Sequence, residues 1–143
     1  MQTVLIDTDI AIDFLRGIPY SKDLLKGLWE KNLAYLSVLS VYELCAGMLD
    51  KEKEATENFL QGFNLEPVDH DIAIRGGELF RAYRKKGITL TSIDCLIMAT
   101  ALQKKHKIAS RNISHYPEKA LLFKIPNPKN SEKIFATDNY RTG

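Results

Sequence analysis

Thr3-Val4-Leu5-Ile6-Asp7-Thr8-Asp9-Ile10-Ala11-Ile12-Asp13-Phe14-Leu15-Arg16-Gly17 changes its hydrophobic period within a few residues. Thr3 to Ile6 is a short, continuous apolar run, the pattern of a strand buried on both faces. Asp7-Thr8 ends it. Asp9 to Arg16 then reads as a helix stopped by Gly17, with Pro19 just beyond. Downstream, Leu24, Leu25, Leu28 and Trp29 form a helical stripe suited to core packing or to a partner. Leu33 to Val38 is a second strand, followed by a helix from about Val41 to Leu49 and a charged helix from Lys51 to Gln61. Leu65-Glu66-Pro67-Val68 is a short strand that Pro67 confines to an end or edge. A long helix spans about Asp71 to Lys85 and stops at Gly87. Ser92 to Lys105 is apolar nearly all round and therefore central. Lys107 to Ser110 and Leu121 to Ile125 complete the pattern as two more strands. Strands alternating with helices imply an α/β domain with a mainly parallel sheet.

The 143 residues suit one domain with a single core. Hydrophobic residues at 45% and charged residues at 27% describe a folded globular chain. No apolar run approaches the roughly 18 residues of a membrane span. The opening lacks the basic region of a secretory leader, so the expected location is cytoplasmic. Beyond Pro126-Asn127-Pro128 periodicity is lost, which makes residues 1–128 the domain and 129–143 a polar tail. Cys45 and Cys95 have no partner motif for zinc or a disulfide framework and read as small buried side chains. The net charge of +2 conceals an asymmetry: residues 1–74 hold 6 Lys/Arg and 13 Asp/Glu, whereas residues 75–124 hold 11 and 3. Folded together, the halves would set an acidic site beside a surface suited to a polyanion.

Open parallel sheets bind ligands at the carboxyl ends of their strands. Asp7 lies at that end of the first strand, Glu43 follows the second, Asp94 opens the central helix and Ser110-Arg111-Asn112 follows the fourth strand. Carboxylates without His or Cys partners suit Mg²⁺ or Mn²⁺. A structural alternative exists for two of them. Ser40-Val41-Tyr42-Glu43 and Thr91-Ser92-Ile93-Asp94 both fit capping boxes, where the acid only completes a first helical turn. Asp7 has no such explanation, because Thr8 is the better cap for the helix that follows. Asp9 reads as a dipole-matched first-turn acid and Asp13 as a solvated helix residue. His70, His106 and His115 are scattered and form no hydrolase triad.

Four blocks carry a family resemblance. Val4 to Gly17, Ser37 to Gly47, Ser92 to Ala101 and Ala109 to Tyr116 resemble, in order and spacing, the acidic blocks of PIN domains of the VapC toxin class. The resemblance covers about residues 2–128. It implies a three-layer α/β/α domain and an Mg²⁺- or Mn²⁺-dependent endoribonuclease leaving 5′-phosphate and 3′-hydroxyl ends. Asp7, Glu43 and Asp94 match the family's most regular acids and would hold the metal. Asn112 stands where another Asp is common and Ser110 where Thr is usual, which bears on how many ions bind. Thr8, Ser110 and Arg111 would position RNA, with N-capping as the alternative for Thr8. The basic residues Arg81, Arg84, Lys85, Lys86, Lys104 and Lys105 would contact phosphates. The implied partners are RNA, a VapB-like antitoxin and a second copy of the chain. Competing classes are a catalytically weak RNA-binding PIN domain, a haloacid-dehalogenase-like phosphatase and a receiver-like signalling domain. The last two lack the acidic pairs their chemistry needs.

Overall fold

The computed structural model describes residues 1–125, so the expected boundary after residue 128 and the tail lie outside the described residues. Four strands form one sheet: β1 (Val4–Ile6), β2 (Ala34–Ser37), β3 (Asn64–Glu66) and β4 (Lys107–Ala109). Their order is β3-β2-β1-β4 and every pairing is parallel. Six α-helices accompany them among the described residues: α1 (Thr8–Leu15), α2 (Pro19–Glu30), α3 (Val38–Gly47), α4 (Lys53–Leu60), α5 (His70–Lys85) and α6 (Ser92–Lys104).

Strand side chains alternate between faces, and here both faces are covered. Val4, Ile6, Ala34, Leu36 and Ala109 point into a core shared with α1, α2 and α4, where Ile10, Leu25 and Phe59 are buried. Leu5, Tyr35 and Ile108 point the other way, against Ile97, Met98 and Tyr83 of α6 and α5. The result is the expected three-layer α/β/α arrangement. Leu24, Leu25 and Leu28 belong to the first core, with Trp29 packed against it, so the stripe on α2 is core and not a docking face.

Several local expectations change. Helix α3 starts at Val38, three residues early, because the Ser37 hydroxyl caps it by accepting from Leu39 N at 3.1 Å. Ser40 is therefore inside the helix, and the capping box with Glu43 does not exist. Asp7, not Thr8, caps α1: its carboxylate accepts from Thr8 N at 2.8 Å. Leu121 to Ile125 is not a fifth strand. Lys119–Leu121 forms a 3₁₀ turn, which leaves a single parallel bridge between Leu122 and Ile108. Cys95 is buried as expected, but Cys45 is exposed on α3.

Two features place the site. Strand β1 is followed by β2 on one side and flanked by β4 on the other, so the chain changes direction between β1 and β4, the usual crevice of an open α/β sheet. Asp7 N donates to Ala109 O at 2.9 Å, which ties the two strand ends together there. Helices α5 and α6 run antiparallel: Gly76 packs on Leu96, and Phe80 shares a cavity with Ser92. The basic end of α5 therefore lies beside the start of α6.

Candidate active site

Asp7 leaves β1 and enters α1, so its carboxylate stands at the mouth of the crevice. Oδ1 accepts from Thr8 N, while Oδ2 accepts from Ser110 Oγ at 2.8 Å and from Tyr116 OH at 2.9 Å. One residue on, the Thr8 hydroxyl donates to Glu43 Oε1 at 2.7 Å, joining the start of α1 to α3. Asp94 sits in the first turn of α6, where its amide donates to the Thr91 hydroxyl at 3.1 Å and its carboxylate lies 3.6 Å from His115 Nδ1. Asp7, Thr8, Asp9, Glu43, Asp94, Asn112 and His115 all line one cleft of about 440 Å³. Three elements and one loop thus deliver the sequence-predicted acids and Asn112 to a single place.

Ser110 lies beneath this surface, 2% exposed, where its one hydroxyl proton goes to Asp7. Arg111 is displaced further from its expected role. Its side chain is entirely buried, with Nε 2.7 Å from Asp13 Oδ2, so it does not face RNA. Asp13, expected in solvent, is the equally buried partner and also accepts from Tyr20 OH at 2.5 Å. Lys104 and Lys105 close α6 at the end opposite Asp94, away from the cleft. Only Arg81, Arg84, Lys85 and Lys86 of the basic stretch lie toward the start of α6.

Asp9 is the acid that sequence reasoning undervalued. It is 4% exposed, and its Oδ2 accepts from the amides of Arg111 at 2.9 Å and Asn112 at 3.1 Å. Burial, then the neighbouring charge of Asp7, pushes its carboxyl up to about 8, against the opposing pull of Arg111 and the two amides. Burial also raises Asp94; Thr91 and His115 oppose this, and the Asp7 charge adds to it. Tyr116 is raised by burial and by Asp7 and Asp94, which keeps it a hydrogen-bond donor. Asp7-x-Asp9 was visible in the sequence, but only the pairing of Asp9 with a distant loop separates it from an ordinary first-turn acid. Tyr116 carried no local signal.

The repulsion of Asp7 with Asp9 and with Asp94 is what a cation would relieve. Among the described residues, no three His, Cys, Asp or Glu are gathered as a ready cage for a metal ion. Asp7, Glu43 and Asp94 nevertheless line the same cleft, where a divalent cation held by one or two carboxylates would complete its shell with water. The donor set is hard oxygen throughout, with no thiolate and one imidazole beside Asp94, so the residues fit such an ion.

Comparison with known proteins agrees with the geometry. Residues 4–116 match the family model of the PIN domain. Ribonuclease VapC10 of Mycobacterium tuberculosis is 32% identical over 114 residues, which span 80% of this chain and 86% of that protein. Ribonuclease VapC19 of the same organism is 38% identical over 114 residues, 79% of this chain and 91% of that protein. Among solved structures, a toxin–antitoxin complex from Klebsiella pneumoniae matches with a TM-score of 0.71 at 25% identity, covering 85% of this chain and 97% of that one. VapBC2 from Rickettsia felis, bound to a DNA fragment from its promoter, matches in fold with a TM-score of 0.75 at 20% identity, covering 86% and 98%.

Proposed function

The chain belongs to the PIN-domain family, and from that premise we propose that it is an endoribonuclease, the toxin of a type II toxin–antitoxin pair, that uses Mg²⁺ or Mn²⁺. The observation that carries the reading is the cleft at the switch point of a parallel sheet, which Asp7, Glu43 and Asp94 line from three separate elements. These acids would hold the ion, directly or through water. A divalent cation bound there supplies positive charge for the scissile phosphate and acidifies a water for in-line attack.

The chain's own groups prepare that chemistry. Ser110 and Tyr116 both donate to Asp7 Oδ2 and fix its carboxylate plane. Thr8 orients Glu43 from below. Asn112 brings a neutral amide to the cleft where the family resemblance leads one to expect a further acid. Phosphates flanking the cut would meet Arg81, Arg84, Lys85 and Lys86, whose exposed side chains lie toward the start of α6. Among the described residues, no helix is long and apolar enough to cross a membrane. The toxin–antitoxin complex among the similar solved structures supports a VapB-like antitoxin as partner, and we propose with it a homodimer and a cytoplasmic location.

The test is RNA cleavage by the wild-type chain with Mg²⁺, with EDTA, and with Mn²⁺ restored after EDTA. Asp7→Asn, Glu43→Gln and Asp94→Asn should each remove most of the activity while melting normally. Full cleavage by a folded Asp94→Asn protein would reduce Asp94 to a residue of the helix start. RNA binding without cleavage under every metal condition would favour the catalytically weak reading.

A further inference from the structure

We propose that Arg111 and Asp13 act as a positioning device that holds the loop after β4 in register with the acids of the cleft; this rests on the nuclease reading above. The loop, residues 110–112, lies outside any helix or strand, and only a short 3₁₀ turn, Ile113–His115, follows it. Yet it makes exacting contacts: Ser110 Oγ on Asp7, and two successive amides on Asp9. Each needs the loop backbone placed to within a few tenths of an ångström, because hydrogen bonds weaken steeply with distance and angle.

The inward side chain of Arg111 accounts for that placement. Its Nε reaches Asp13, one turn along α1 from Asp9, so the loop is tied to the same helix that Asp7 caps and whose first turn holds Asp9. Tyr20 on α2 donates to the same carboxylate oxygen and limits its rotation. An ion pair with both side chains at 0% exposure is a poor choice for stability alone, since apolar residues of similar volume commonly serve as well or better. What an apolar pair cannot do is fix direction. A guanidinium clamped by a carboxylate sets the angle at which the backbone of residues 110–112 passes beneath Asp7 and Asp9.

The decisive variant is the double substitution Asp13→Leu with Arg111→Met, which removes both charges of the pair, while Asp9 loses the opposing charge of Arg111 and Tyr20 loses its acceptor. It should fold cooperatively. Hydrogen exchange at the amides of positions 111 and 112 should accelerate at least tenfold, on the order of one lost anchoring contact, while the amides of Leu5 and Ile108 keep their protection. Calorimetric Mn²⁺ affinity should weaken by roughly 10–100-fold, the scale of lost outer partners of a metal site, and kcat should fall by a similar factor with KM little changed. Should the double variant not fold, Tyr20→Phe supplies the same three readouts with smaller shifts in the same directions. Unchanged exchange at positions 111 and 112 overturns the anchor. Faster exchange with unaltered Mn²⁺ affinity and kcat overturns its role in positioning the site. A wild-type chain that neither binds Mn²⁺ nor cleaves RNA defeats the nuclease reading instead, and the exchange measurement still decides whether the pair holds the loop.

Discussion

Replacing Thr8 by Val removes one hydroxyl and almost no volume, which isolates the bond from Thr8 Oγ1 to Glu43 Oε1 at 2.7 Å. Thr8 is 9% exposed, so the donor itself is hardly solvated. Hydrogen bonds to a charged partner contribute about 1.5–3 kcal/mol. Glu43 is only half-buried, and water can replace part of what it loses, which places the cost near the lower end of that range. With a factor of ten in rate for every ~1.36 kcal/mol, Thr8→Val should lose about tenfold in kcat. Both residues are β-branched, so the first turn of α1 keeps its propensity, and the melting temperature should fall only by the few degrees that the lost bond accounts for. The assay is steady-state cleavage of a fixed RNA with Mg²⁺, run for wild type, Thr8→Val, Thr8→Ser and each change in a Glu43→Gln background. Thr8→Ser should restore most of the rate, and Thr8→Val should add little once Glu43 is Gln, since the two act through one contact. A Thr8→Val protein with wild-type kcat and a raised KM would refute this reasoning. That result would make the hydroxyl a contact for RNA, as the sequence resemblance implies, and not an orienting group for Glu43.

Two further outcomes test other parts of the molecule. Asn112→Asp adds a charge to the cleft and should tighten calorimetric Mn²⁺ binding roughly tenfold, the scale of a change beside a metal site; equal affinity would place residue 112 out of the ion's reach. Gly62→Ala and Gly77→Ala should move stability in opposite directions. A Cβ at position 62 would come within 2.8 Å of Trp29 Nε1, in a ring wedged against Phe14, Phe59 and Phe63, and should destabilise by about 1–3 kcal/mol with a shift in the emission of the single tryptophan. At position 77 a Cβ meets nothing within 4 Å, so the gain of about 1 kcal/mol in helix propensity should appear undiminished in a thermal melt.

What the sequence determined by itself was everything carried by neighbours along the chain. Val4-Leu5-Ile6 announces a doubly buried strand because each of its side chains is apolar whichever face it takes. Gly17 ends the first helix at φ +80°, a conformation that favours glycine, and Thr91 caps α6 from three residues before Asp94. Asp7, Glu43, Asp94 and Asn112 could be named because acids at strand ends and helix starts are local features, and their four blocks keep a family's order. Where two local rules competed, the sequence left the outcome open. The capping-box pattern puts the cap at Ser40, yet Ser37 can cap as well, and the structure selects Ser37, where β2 ends its pairing with β3 opposite Glu66.

The tertiary structure alone decided which charges face water. Asp9, Asp13 and Arg111 look in sequence like solvated residues on a helix and a loop. A buried charge is tolerated only with a partner, and the partners here come from segments brought together by the closure of β1 against β4. Asp13 could not announce Arg111, nor Arg111 Asp13, because nothing in the residues between them reports their distance in space. The same limit hid Tyr116, whose hydroxyl reaches Asp7 across the sheet edge, and split the basic residues of α5 and α6 between two ends of the molecule. It also turned Leu121 to Ile125 from a strand into a single bridge, since the 3₁₀ turn Lys119–Leu121 takes up the start of that segment.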